Sequence, residues 1–472
     1  MKNTVVVKKD CKTCQLVVPV LERLGETGVL EILSQDDPGF PAGMVVTDDS
    51  DLALSWRLGI ETVPTLIVFN DQGMEISRTS GWDRSAWEEI TGQSLELGLS
   101  EFRPGCGSAT QDPGMPEKLA AKYDAERLQA RAVSLASEED DMEACFDRGW
   151  SDGLPVVPPT RERVLRMLTG TRRAADEVVG NVPPDLAECT IEKIAINAVM
   201  AGCLPEYLPV VITAVEAALQ DEFCMHGLLA TTYFSGPLVI VNGPISRAIG
   251  MNARGNALGQ GNRANATIGR ALQLVIRNVG GGKPGGVDRS VFGNPGKYTY
   301  CFAEDEPGSC WESLAEERGY SGDASTVTLF AADGLQGIVD QKSRDPESLC
   351  RTFAAGLAGV GHPKMVMAAD AILVVSPEHE RVFRLAGWTK QQVKDRIHEL
   401  LVRPGSELVA GAGGIAEGLP ERLVDMELPK FREGGFNIVR AGGSAGMFSA
   451  IIAGWAASGS IGSTMVTREI EA

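Results

Sequence analysis

Two hydrophobic periods run through this chain. Residues 4–7, Thr-Val-Val-Val, form an unbroken β-branched run that predicts a strand buried on both faces. Directly after it, Leu16, Val17, Val20, Leu21 and Leu24 recur at the spacing of one helix face. Residues 66–69 and 74–78 predict strands joined by the turn Asn70-Asp71-Gln72-Gly73, and a helix is expected from about Arg84. Residues 117–148, rich in Ala, Glu, Lys and Arg, predict a helical arm. Thr160 is placed to cap a helix over 161–169. The longest helical pattern covers 190–220, with Thr190 as cap and Gly202 and Pro205 dividing it into two helices. Farther on, 236–241, 325–330, 369–375 and 436–440 predict strands. Helices are expected over 264–278, 343–358, 378–386 and 389–402, and an apolar helix from Ala441 through Trp455.

Strand and helix alternate along the whole length, which places the chain in the α/β class. At 472 residues it is too long for one core, and 43% hydrophobic content is ample for more than one. Composition breaks predict three parts: a domain over 1–95, a linker and helical arm over 96–148, and a larger α/β domain with glycine-rich loops over 149–472. A net charge of −19 argues against nucleic acid and anionic membrane as partners. There is no run of 18 apolar residues, and the opening MKNTVVVKKDCKTC lacks the apolar stretch of a signal peptide, so a cytoplasmic location is expected. In that compartment the ten cysteines are expected to be mostly thiols.

The sharpest chemical signal is Cys11-Lys12-Thr13-Cys14, set between the first strand and the first helix. A helix N-terminus favours an anion, and a thiolate there is a nucleophile near neutral pH. A second cysteine one turn on can close a disulfide with the first, which is the arrangement of a thiol–disulfide exchange centre. The alternative is half of a metal site, although no second CxxC or HxxxH accompanies it. Lys12 should favour the thiolate and Asp10 oppose it.

With Trp56-Arg57-Leu58-Gly59-Ile60 and Val63-Pro64-Thr65 entering the next strand, residues 1–95 resemble the thioredoxin superfamily. The resemblance implies a thioredoxin-like fold with a cis peptide before Pro64, lying against Cys11 and Cys14. The chain carries Lys12-Thr13 between the cysteines and Asp10 before them, in place of the usual Trp-Cys-Gly-Pro-Cys. Residues 150–472 resemble an uncharacterised bacterial family through the runs 192–203 and 261–269, which implies a catalytic module and nothing sharper.

Other candidates lie in the larger domain. Cys203 falls at the break in the 190–220 pattern, ahead of a new helix start, with Glu206 and Tyr207 close behind as proton-exchanging groups. A buried structural cysteine is the competing expectation. His379 follows a strand end, where α/β sheets hold ligands, and is a candidate acid/base; His362 and His226 rank lower. The Gly/Asn-rich stretch with Asn252, Arg263 and Asn265, the loop with Gly281 and Lys283, and Tyr298 beyond it are candidate substrate contacts. Cys106, in Pro104-Gly105-Cys106-Gly107, is expected in a mobile linker, either incidental or as a shuttle thiol.

These features predict a thiol-dependent oxidoreductase that takes a small-molecule substrate. Cys11 and Cys14, with Pro64 lying against them, would exchange disulfides with a substrate or with a thiol such as Cys203 in the larger domain. No nicotinamide or flavin fingerprint is present, so no bound cofactor is expected and reducing equivalents would come from an external thiol or a thioredoxin-type protein. Self-association into a homo-oligomer stays open. The alternatives are a sulfur-transfer or carbon–sulfur enzyme, in which the CxxC delivers sulfur, and a non-enzymatic redox- or metal-responsive binding protein.

Overall fold

The computed structural model describes residues 2–27, 30–124, 128–455 and 462–471. The chain forms two compact units, 1–127 and 128–472. It is α/β throughout, with mixed sheets.

The first unit is built on a five-stranded sheet in the order Thr47–Asp48, Leu30–Ser34, Lys2–Val7, Thr65–Phe69, Glu75–Ser80. Lys2–Val7 is central, parallel to Leu30–Ser34 and antiparallel to Thr65–Phe69. Val5, Val6 and Val7 are all fully buried, which is why this strand is apolar without alternation. The helix that follows is in two pieces, Lys12–Leu16 and Val18–Thr27. Pro19 explains the break: it has no N–H, and its ring clashes with the carbonyl four residues back. Val20, Leu21 and Leu24 still reach the core.

The stretch expected to be a linker is largely folded. Phe102–Arg103 pairs with Trp82–Asp83, and Cys106–Gly107 pairs with Thr62–Val63, both antiparallel. Gln35 ties down Ser108 Oγ at 2.8 Å and the Ala109 amide at 3.0 Å. Met115–Tyr123 is a helix whose Tyr123 hydroxyl donates to the Asp51 carbonyl at 3.0 Å. The glycines here serve close approach rather than mobility. A Cβ on Gly105 would run into the Thr62 side chain and lie 2.8 Å from the Val63 carbonyl oxygen. The helical arm expected over 117–148 is therefore the end of the first unit plus one short helix, Asp141–Asp147, in the second.

The second unit has a seven-stranded mixed sheet. Its order is Cys301–Ala303, Gly236–Asn242, Thr326–Val339, Phe448–Gly454, Ala369–Val375, Phe431–Arg440, with Val466–Glu469 also pairing to Thr326–Val339. Val239, Val241, Val327 and Leu329 pack with the helices Ile191–Ala201, Leu208–Ala218 and Arg263–Asn278 in the largest core. The alternate residues Leu238 and Ile240 belong to another core with Phe302 and Phe330, as the period of a strand requires. Helices Pro346–Leu357, Pro377–Leu385 and Lys390–Leu400 supply Phe353, Phe383 and Ile397 to a third, against Leu373 and Ile438.

One predicted element is of the wrong type. Phe448–Gly454, read as helix, is a strand between Thr326–Val339 and Ala369–Val375. A short apolar run fits either state, and here pairing on both edges decides it. Among the described residues no helix is long and apolar enough to cross a membrane.

Candidate thiol centre

Cys11 leaves the central strand in extended conformation (φ −89°, ψ 117°) and caps the Lys12–Leu16 helix with its own sulfur. The Cys14 amide donates to Cys11 Sγ at 3.4 Å, and the Lys8 amide donates to Cys14 Sγ at 3.4 Å. Each sulfur thus has a backbone N–H aimed at it, as a serine or aspartate would at an N-cap. When protonated, Cys11 donates to the Val63 carbonyl at 3.5 Å. The Val63–Pro64 peptide is cis, and Pro64 lies in the loop that faces the CxxC. Cys106 stands opposite Val63 in the antiparallel pair, which brings a third thiol to the same place.

The electrostatics separate the three. Cys11 is lowered to about 5, first by the Cys14 thiol, with burial opposing and the Cys106 thiol and the amides of Cys14 and Thr13 adding to the effect. Cys14 is pushed far up by burial and by its hydrogen bond to Cys11. Cys106 is raised by the same two causes in the same order. One negative charge therefore sits on Cys11, solvated by two thiol donors and by amides. These groups set its acidity, rather than Lys12 or Asp10, whose charges the sequence weighed against each other. The pocket is closed: Cys11 is only 1% exposed. Thr13 Oγ1 donates to the Pro104 carbonyl at 2.7 Å and Lys8 Nζ to the Gly107 carbonyl at 2.9 Å, so the 104–107 segment is clamped across the thiols.

The candidates in the larger unit fare differently. Cys203 stands at the expected break, between Ile191–Ala201 and the turn Pro205–Tyr207 that leads into Leu208–Ala218. Its amide donates to the Ala198 carbonyl at 2.9 Å, at the C-terminal end of Ile191–Ala201. Burial pushes its thiol up to about 12, and the buried Cys301 is raised for the same reason. Burial opposes the thiolate expected there and outweighs the Thr267 hydrogen bond and the Arg263 charge that favour it. Glu206 is exposed on the turn Pro205–Tyr207. His379 is fully buried, with Nδ1 at 2.7 Å from Ser449 Oγ and Nε2 at 3.0 Å from the Asp340 carbonyl. Both ring nitrogens are committed to the core, so it has no free acid/base edge. His362 Nδ1 accepts from the Lys364 amide at 3.1 Å, within its own turn.

The asparagine-rich loop spends its side chains on itself. Asn265 Oδ1 accepts from the Asn252 amide at 3.0 Å, and Asn265 Nδ2 donates to the carbonyls of Asn252 and Ala257 at 2.8 and 3.1 Å. Arg263 Nε donates to the Gly202 carbonyl at 2.9 Å. Gly281 has φ +77°, and a Cβ there would strike the Asp185 carboxylate. The Lys283 amide closes the same turn on the Gly281 carbonyl at 2.8 Å. These contacts hold the two loops in shape. Tyr298 lines a cavity of about 510 Å³.

That cavity contains residues the sequence did not single out, among them Gln273 and Arg277 on helix Arg263–Asn278. The available signal was two polar groups four residues apart in an otherwise apolar helix stretch. No protein-family model matches this chain, and no curated protein matches it.

Proposed function

We propose that the chain is a thiol–disulfide oxidoreductase working through a thioredoxin-like N-terminal domain. The observation that carries this reading is Cys11: a sulfur at a helix N-cap, taking the Cys14 amide at 3.4 Å and held at about 5. The strand–CxxC–helix order, the parallel neighbour and antiparallel third strand of the sheet, and the Val63–Pro64 loop opposite the thiols all support it.

The reaction follows from the three acidities. The Cys11 thiolate attacks one sulfur of a substrate disulfide, forming a mixed disulfide and expelling the other half as thiolate, which takes up a proton. Cys14 then gives up its proton and attacks Cys11 Sγ. The Cys11–Cys14 disulfide forms and the second substrate thiol leaves. An external dithiol returns two electrons and two protons to close the cycle. Cys203 and Cys301 are buried and protonated, which argues for an external disulfide as substrate rather than an exchange with either thiol.

The test is reduction of glutathione disulfide with dithiothreitol as donor. Cys11→Ser should abolish turnover, and Cys14→Ser, mixed with glutathione disulfide before any dithiothreitol is added, should hold glutathione on Cys11. Turnover unchanged in both variants would remove the reading. Transferable sulfur accumulating as a persulfide on Cys11 or Cys14, with no disulfide reduced, would replace it with sulfur transfer.

A further inference from the structure

The 510 Å³ cavity of the second unit has no part in the thiol reaction. Its floor is Gly236 and Pro237, at the start of a sheet strand. One wall is helix Arg263–Asn278 and the other is the loop that follows it. Gln273 and Arg277 lie four residues apart and so share the face toward the cavity. Gln273 Nε2 and Arg277 Nε are both shut off from water, and neither has a hydrogen-bond partner among the described residues.

The other charges in the cavity are already matched. Lys297 Nζ binds Asp288 Oδ1 at 2.6 Å and Ser290 Oγ at 2.7 Å. Asp152 is held by Arg270 through two hydrogen bonds, at 2.7 and 2.8 Å. Arg277 has no ion pair among the described residues, so the cavity carries one uncompensated positive charge. Arg277 as a residue is only half-buried and lines the cavity, so the outer nitrogens of its guanidinium are what a ligand meets, and the guanidinium fork matches a carboxylate. The rest of the lining is largely apolar, with Leu228, Leu229, Ile276 and Met225 inside and Phe292, 84% exposed, at the mouth. The space over the floor exists because residue 236 is glycine: a Cβ would sit 3.1 Å from Lys297 Cγ and 3.7 Å from Gln273 Nε2.

The geometry points to a binding site for a small organic monocarboxylate with an aryl or alkyl body, its carboxylate on the Arg277 guanidinium and its body against the apolar wall. A single positive charge and an apolar lining favour such a monoanion over inorganic phosphate. The site stands on its own observations and does not depend on the thiol reading.

The experiment is calorimetric titration of the full-length protein with benzoate, with benzamide as the neutral isostere and inorganic phosphate as the second anion. Benzoate should saturate one site, with benzamide and phosphate each at least about tenfold weaker, the factor that loss of one charge-assisted pair implies. Arg277→Gln should weaken benzoate about tenfold or more. Arg277→Lys, which keeps the charge and loses the fork, should fall between. Because Arg277 binds no other described residue, neither variant should alter the circular dichroism spectrum or the rate of glutathione disulfide reduction. Gly236→Ala, which fills the floor, should weaken benzoate without changing the charge. Failure of benzoate to bind the wild type, equal binding of benzamide, tighter binding of phosphate, or unchanged benzoate affinity in Arg277→Gln would each overturn the assignment.

Discussion

At the residue scale, the acidity of Cys11 is built from identifiable donors, and each can be removed. The Cys14 thiol is the largest contributor and the Cys106 thiol a smaller one. Cys14→Ala should therefore raise the Cys11 pKa more than Cys106→Ala does, and the double variant should raise it most. The check is the pH dependence of thiolate absorbance at 240 nm in each variant. His379 tests the opposite expectation. Both ring nitrogens are hydrogen-bonded in the core, at 2.7 and 3.0 Å, so His379→Ala leaves Ser449 and the Asp340 carbonyl without their partner. It should cost about 2–3 kcal/mol in denaturant unfolding and leave the Cys11 titration in place. The sequence made Cys11 and Cys14 legible because a CxxC between strand and helix has few other uses. It put Cys203 at a helix break and His379 in a first helical turn, where both lie, but could not tell their chemical state, because burial decides whether a thiol ionises or an imidazole has a free edge.

At the element scale, the 104–107 segment governs access to the thiols. It is held by the Val63–Cys106 pair, by Thr13 on Pro104 and by Lys8 on Gly107. Gly81 (φ +77°) and Gly105 meet face to face: a Cβ on Gly81 would lie 2.8 Å from the Gly105 amide nitrogen. Gly105→Ala should push the segment off Cys11. The expected result is faster carboxamidomethylation of Cys11 at pH 7, read by mass spectrometry, together with a lower melting temperature. Sequence reading took these glycines for a linker signal because a glycine required for close packing and one in a free loop look alike in one dimension. The same limit applies to Phe448–Gly454, whose strand state is fixed by neighbours far away in sequence. By contrast, the helices behind Thr160 and Thr190 were readable, because each cap acts on an amide three residues on.

At the scale of the whole molecule, a thiol centre in one compact unit and an apolar, singly charged cavity in the other are separate assets of one chain. The division itself was visible in composition, but the first unit was ended too early, at 95 instead of 127, because 102–124 pairs and packs back onto it. Global stability should also report the thiolate. Cys11 is depressed in the folded state, so between about pH 5 and its unfolded value near 8.5 the unfolded chain binds a proton that the folded chain does not. Reduced protein should gain stability as pH rises through that window and lose it as pH falls through 5. Cys11→Ser should flatten this dependence in urea unfolding measured from pH 5 to pH 8.

The most direct measurement is the 240 nm titration of the reduced full-length protein with the Cys11→Ser curve subtracted. It reads the thiolate whether or not the 104–107 segment is in place. A single step near pH 5 is the predicted result. A difference curve that stays flat until about pH 8.5, the range of an ordinary thiol, would contradict the account.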